Sequence, residues 1–125
     1  MKPEQFIKRY GINEAKKIID KAPNGTTHIH SVTLQNYMQG EGNNYVWCGS
    51  GRDGWYFSIY DTLNGMMALE DLKRLVESVE LVEVCGGLVE AKKKMNSESL
   101  RSATIEYVLY KAIRDHESIY GGGDE

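Results

Sequence analysis

Two histidines separated by one residue are the side chains of this sequence best suited to chemistry. His28 and His30 fall in a segment that predicts a strand, so both are expected on the same face. With Cys48 or His116 they could offer imidazole and thiolate ligands to a metal ion. That ligand set is incomplete, and the apolar Val32 shares the face. The pattern therefore favours partly buried histidines at a sheet margin, and we assign no metal site.

Other catalytic or cofactor motifs are not found in the sequence. The loop 49–54, Gly-Ser-Gly-Arg-Asp-Gly, has the letters of a dinucleotide fingerprint, but a fingerprint must lead into a helix. Here the next residues predict a strand, so the loop is interpreted as a hairpin turn. No recognised nucleophile motif surrounds Cys48 or Cys85. We expect a protein without enzymatic activity and without a cofactor.

Tyrosine and tryptophan are concentrated in the middle of the chain. Strand alternation must send some of these rings to the core and others to the surface, where Tyr and Trp favour protein interfaces. The predicted interaction surface consists of six aromatic residues: Tyr37, Tyr45, Trp47, Trp55, Tyr56 and Tyr60.

A short partial repeat, which we call the echo, places lysines at matching positions in the N-terminal and C-terminal parts of the chain. Residues 11–17, Gly-Ile-Asn-Glu-Ala-Lys-Lys, return at 87–93 as Gly-Leu-Val-Glu-Ala-Lys-Lys. If the two segments lie side by side, a basic patch for nucleic acid could form from Lys16, Lys17, Lys92, Lys93 and Lys94. Nearby glutamates and a net charge of −3 argue against this alternative.

The elements that must position these residues begin with a helical hairpin. Apolar spacing predicts helices over 4–10 and 13–21, separated at Gly11. The following region is β-branched and aromatic, and its polar turns 39–44 and 49–54 favour an antiparallel meander. Its three predicted strands are 26–34, 45–48 and 55–60.

The C-terminal half is predicted to be helical. One helix is expected over 67–78 and another over 88–95. Residues 79–85 could form a strand or a helix, and the echo favours a short helix. A last helix is expected from Asn96 or Ser97 to about 117, followed by a disordered tail at 121–125. The fold class is thus α+β: a three-stranded antiparallel meander flanked by an N-terminal helical hairpin and C-terminal helices.

Composition is that of one ordinary globular domain, expected over residues 1–120. The chain has 125 residues, 41% of them hydrophobic and 26% charged. No apolar run is long enough to span a bilayer and no signal peptide is evident, which predicts a cytosolic protein. The apolar stripe of the last helix could serve a homodimer or could cap the protein's own sheet.

Two segments resemble small, mostly uncharacterised accessory proteins of lambdoid phages and enterobacterial prophages. They are residues 4–28, which include Glu-Gln-Phe-Ile-Lys-Arg-Tyr-Gly-Ile-Asn-Glu-Ala-Lys-Lys, and residues 72–88, which include Leu-Lys-Arg-Leu-Val-Glu-Ser. The resemblance covers about half of the chain. It implies a bacterial cytoplasm and a role in binding a host protein, including inhibition of a host defence component. It implies no catalytic residues.

Overall fold

A computed structural model of the chain describes residues 1–96 and 103–121, and these form an α+β protein. The helices are α1 (Pro3–Tyr10), α2 (Ile12–Lys21), α3 (Leu69–Val84), α4 (Leu88–Met95) and α5 (Ala103–Tyr120). The strands are β1 (His28–Ile29), β2 (Asn36–Gln39), β3 (Asn44–Cys48), β4 (Gly54–Phe57) and β5 (Met67–Ala68). The chain divides into two compact units, Met1–Lys73 and Arg74–Glu125.

The sheet of the first unit is larger than the predicted meander. The described residues form five antiparallel strands in the order β4-β3-β2-β1-β5. The predicted three strands are therefore wrong in number, although the α+β class is confirmed. Two of the five strands were not predicted. β2 precedes the predicted strands 45–48 and 55–60, and β5 lies immediately before α3.

The predicted strand 26–34 is also wrong, because a tight turn interrupts it. β1 ends at Ile29, and the backbone N–H of Leu34 donates to the carbonyl of His30 at 2.8 Å. Leu34 itself has a φ of 62°, in the left-handed region that side-chain-bearing residues rarely adopt. The chain then returns as β2, and the register pairs Ile29 with Asn36.

The core of the first unit joins its helices to the sheet. Its buried centre consists of Phe6, Ile29, Met67 and Leu69, against which Ile18, Ile19 and Ala22 pack. α1 and α2 are separated at Gly11, whose φ of 95° is readily available only to glycine. The predicted N-terminal pair of helices is thereby confirmed, with α1 beginning at Pro3 and α2 at Ile12.

The second unit contains most of α3, from Arg74 onward, together with α4 and α5. Its core consists of Val82, Ala91, Leu109, Ala112 and Ile113. Residues 79–84 continue α3 and do not form a separate helix. Val79 and Val82 are both buried, and a spacing of three residues places them on the same side of a helix. Helical packing thus prevails over the strand preference of valine.

The chain breaks after α3, as the echo predicted. Gly86 and Gly87 have φ values of 102° and 107°, and α4 follows over Leu88–Met95. Asn96 ends α4, whereas Ser97 and the predicted beginning of the last helix lie outside the described residues. α5 extends to Tyr120, and the predicted tail beyond Gly121 is likewise outside them. Among the helices described here, none combines the length and the apolarity that a membrane span requires.

Candidate functional site: an aromatic face on the β3–β4 hairpin

Two pairs of aromatic residues face each other across strands β3 and β4. The register places Tyr45 opposite Phe57 and Trp47 opposite Trp55. Residues two apart on a strand point to the same face, so all four rings share one side of the hairpin. We call Tyr45, Trp47, Trp55 and Phe57 the aromatic quartet.

The quartet occupies the positions of the hairpin where side chains approach most closely. The N–H of Ser58 donates to the carbonyl of Asn44 at 2.8 Å, which makes these two residues a hydrogen-bonded pair. In an antiparallel ladder such pairs alternate with non-hydrogen-bonded pairs, whose side chains are closer. Both aromatic pairs are therefore of the non-hydrogen-bonded kind.

The ring geometry agrees with this close approach. The Tyr45 and Phe57 rings are stacked, with centroids 5.4 Å apart, and the Trp47 and Trp55 rings meet edge to face at 5.3 Å. Pairs of this geometry contribute about 0.5–1.5 kcal/mol beyond area burial. The quartet is thus held in place before any partner arrives.

One member of the quartet is also anchored to the loop after α2. The indole Nε1–H of Trp55 donates to the carbonyl of Asn24 at 3.2 Å. The neighbouring Gly25 lies so close that a Cβ there would be 3.0 Å from Met38 Sδ and 3.4 Å from Trp55 Nε1. Its φ of 98° also favours glycine, so a larger residue would displace the anchor.

Exposure is uneven across the quartet. The side chain of Phe57 is 73% exposed, while Tyr45, Trp47 and Trp55 are half-buried. This arrangement presents an apolar surface with a rigid base. Phe57 was not among the predicted interaction residues. Its position two residues after Trp55 in a predicted strand nevertheless indicated that the two side chains share a face.

The six predicted aromatic residues do not form one surface. Tyr45, Trp47 and Trp55 are brought together, but Tyr37 and Tyr56 pair with Val46 on the opposite face. Tyr37 is only 4% exposed, and its ring packs edge-on against Tyr60 at 5.8 Å. Burial and the neighbouring Tyr60 raise the pKa of Tyr37 above its usual value. Tyr37 is a core residue of the first unit.

The predicted basic patch is weakened by ion pairs. Lys17 pairs with Glu14 at 3.2 Å, and Lys93 pairs with Glu90 at 3.4 Å. Lys92 pairs with Glu117 at 3.3 Å. Lys16 and Lys17 belong to the first unit, and Lys92, Lys93 and Lys94 to the second.

The two histidines do not share a strand face. His28 lies on β1, where Thr27 Oγ1 contacts its Nδ1 at 2.8 Å. Burial lowers the pKa of His28, and Asp71 opposes that shift. His30 lies beyond the strand, and its Nδ1 accepts the N–H groups of Val32 and Thr33 at 3.1 and 3.2 Å. Within residues 1–96 and 103–121, no three metal-ligating side chains cluster.

Charge is sparse on the hairpin that carries the quartet. Between residues 44 and 60 the sequence has two charged residues, Arg52 and Asp53, both in the turn between the strands. The face itself is therefore aromatic and uncharged. No protein-family model, curated protein or solved structure matches this chain.

Proposed function

We propose that this chain is a non-enzymatic protein-binding module and that the aromatic quartet is its contact surface. The observation that supports this proposal most directly is the ordered set of two cross-strand ring pairs, in which the Phe57 side chain is 73% exposed. Aromatic residues supply much of the energy at protein interfaces. Rings that are already ordered lose little side-chain entropy on binding, so more of the contact energy remains as affinity.

The partner is a protein with an apolar contact patch. An uncharged face has no groups to neutralise phosphates, which provide most of the affinity in nucleic-acid binding. It matches instead the interior of a protein interface, which is depleted in charged residues. In line with the resemblance to phage accessory proteins, we place the partner among proteins of a bacterial host, including its defence components.

A pull-down from an enterobacterial lysate tests this proposal when wild-type and variant baits are compared. Phe57→Ser removes the most exposed ring of the quartet, and we expect recovery of the partner to fall at least about tenfold. Val84→Ser is the matched control, because Val84 is 82% exposed on α3 and lies in the other unit. It should leave recovery unchanged.

Two results would refute the proposal. One is a lysate in which no protein is enriched over a bait-free control. The other is a partner recovered equally well by wild-type protein and by Phe57→Ser, since binding would then not use the quartet.

A further inference from the structure

Strand β4 forms one edge of the sheet. Its inner side pairs with β3, and no other strand among the described residues pairs with its outer side. An edge of this kind presents backbone donors and acceptors that another strand can satisfy.

The hydrogen-bond ladder identifies the outward-facing groups. Asn44 and Ser58 form a hydrogen-bonded pair, so by alternation the inward-bonded residues of β4 are Tyr56 and Gly54. On the other side of β3, the N–H of Gly40 donates to the carbonyl of Asn43 at 3.0 Å, which fits the same alternation. The N–H and C=O groups of Trp55 and Phe57 therefore point away from β3. Both residues belong to the quartet, so the open edge adjoins the proposed contact surface.

This edge lacks the features that usually prevent strand pairing. Residues 54–60, Gly-Trp-Tyr-Phe-Ser-Ile-Tyr, contain no charged residue and no proline. Native edges are commonly protected by lysine, proline or a very short strand. Here Tyr56, Phe57 and Ile59 are 47%, 73% and 91% exposed. The other edge, β5, has only two residues and is protected by its shortness.

The dimensions of the edge favour a peptide segment over a second copy. Four residues at about 3.4 Å each give a strand of roughly 14 Å. Two such edges paired symmetrically would bury much less than the roughly 1,200 Å² at the lower end of stable interfaces. An added peptide strand needs only the backbone bonds and side-chain contacts on alternate residues.

We propose that the partner binds as an extended segment that adds a strand to β4. This inference rests on the proposed function. Every second residue of the segment lies beside Trp55 and Phe57 and is apolar. The centre of the segment is uncharged, because residues 54–60 offer no charge to pair with.

The test starts from a displayed library of random twelve-residue peptides selected against the wild-type protein. The best peptide is synthesised and added to labelled protein, and amide hydrogen exchange is followed residue by residue. In the free protein we expect the amides of Trp55 and Phe57 to exchange faster than that of Tyr56. With peptide bound, both should slow at least about tenfold, while that of Tyr56 changes little.

A pair of substitutions separates backbone pairing from ring contact. Phe57→Val removes the ring and keeps the N–H, whereas Phe57→Pro also removes the N–H. Proline is tolerated where a strand N–H faces outward, as at this position. Phe57→Pro should weaken peptide binding at least about tenfold more than Phe57→Val does.

The outcomes distinguish this inference from the proposed function. Peptides that need the quartet but leave the Trp55 and Phe57 amides exchanging freely would overturn strand addition and retain the contact surface. A library that yields no binder, or binders indifferent to Phe57→Ser, would overturn both. A stable dimer of the free protein that Phe57→Pro dissociates would assign the edge to a second copy and would also overturn the inference.

Discussion

At the scale of single residues, Trp55 has two roles that can be separated. It pairs with Trp47, and its indole N–H donates to Asn24. Trp55→Phe keeps an aromatic pair and removes the donor, so we expect the free energy of unfolding to fall by about 1 kcal/mol in urea titrations. Trp47→Phe is the control, since it alters the same pair without removing the bond to Asn24. Equal losses in the two variants would show that the Asn24 bond contributes nothing.

Two half-buried imidazoles predict a loss of stability in mild acid. Burial lowers the pKa of His28, against the opposing effect of Asp71. Burial also lowers the pKa of His116, against Glu83 and Glu117. The unfolded chain therefore takes up protons at a higher pH than the folded one. The stabilisation is complete above the unfolded value of about 6.5 and is lost as the pH falls towards the lower folded values.

Urea titrations at about pH 7.5 and pH 5.5 measure this effect, because these values lie on either side of the ordinary histidine pKa. We expect the wild-type protein to be less stable at the lower pH, and His116→Gln to reduce the difference. The substitution leaves the other ionisable groups of the protein in place, so the change in the difference is specific for residue 116. A wild-type protein equally stable at both values would contradict the prediction.

Which side chains meet could be predicted only where the strand itself was recognised. Alternation in 55–60 correctly places Trp55 and Phe57 on one face, opposite Tyr56. Tyr37 was assigned to the surface because β2 was not recognised, and strand register decides that it is buried. His30 was predicted to share a face with His28. The turn in which His30 Nδ1 accepts the N–H of Val32 has no simple sequence signal, so it was not recognised.

At the scale of elements, a buried polar contact joins α3 to α5 within the second unit. Asp115 accepts hydrogen bonds from Ser78 Oγ at 2.7 Å and from Arg74 Nε at 3.3 Å. Ser78 is 8% exposed, so Asp115→Ala would leave a buried hydroxyl without this acceptor. We expect a loss of about 1–3 kcal/mol in the free energy of unfolding.

A double-mutant cycle with Ser78→Ala checks the assignment. If the two residues stabilise the protein through their mutual bond, Ser78→Ala should lower the free energy of unfolding much less in the Asp115→Ala background than in the wild-type protein. Glu117→Ala is the control, because its pair with Lys92 is about one-third exposed on both sides and should contribute less than about 1 kcal/mol. Strictly additive losses for Ser78 and Asp115 would refute the coupling.

Elements were predictable in proportion to their length. Long amphipathic helices have a strong 3.6-residue period, and a helix is found in every region assigned from it where the structure describes the chain. The first two residues of the predicted helix 67–78 are an exception, because they form β5. β1 and β5 have two residues each, too few for a period-2 pattern to be recognised. They exist because β1 pairs with both β2 and β5, and pairing between distant segments is not visible in local sequence.

At the scale of the whole molecule, charge and aromatic surface indicate the same class of partner. The sequence has fifteen basic and eighteen acidic residues. Within the predicted basic patch, Lys17, Lys92 and Lys93 are ion-paired with glutamates. The uncharged quartet, by contrast, lies on a hairpin with two charged residues at its turn. Both observations support the proposal of a protein partner.

The corresponding prediction is that the protein does not bind nucleic acid even at low salt. Binding through several phosphate contacts strengthens steeply as salt is lowered, so about 20 mM salt gives a basic patch its best opportunity. We expect fluorescence anisotropy of labelled single-stranded and duplex DNA to stay unchanged as protein is added. The variant with Lys92→Gln, Lys93→Gln and Lys94→Gln serves as the comparison. Saturable binding that weakens with added salt and is lost in this variant would instead support a basic patch, and the nucleic-acid alternative would then replace the protein-binding proposal.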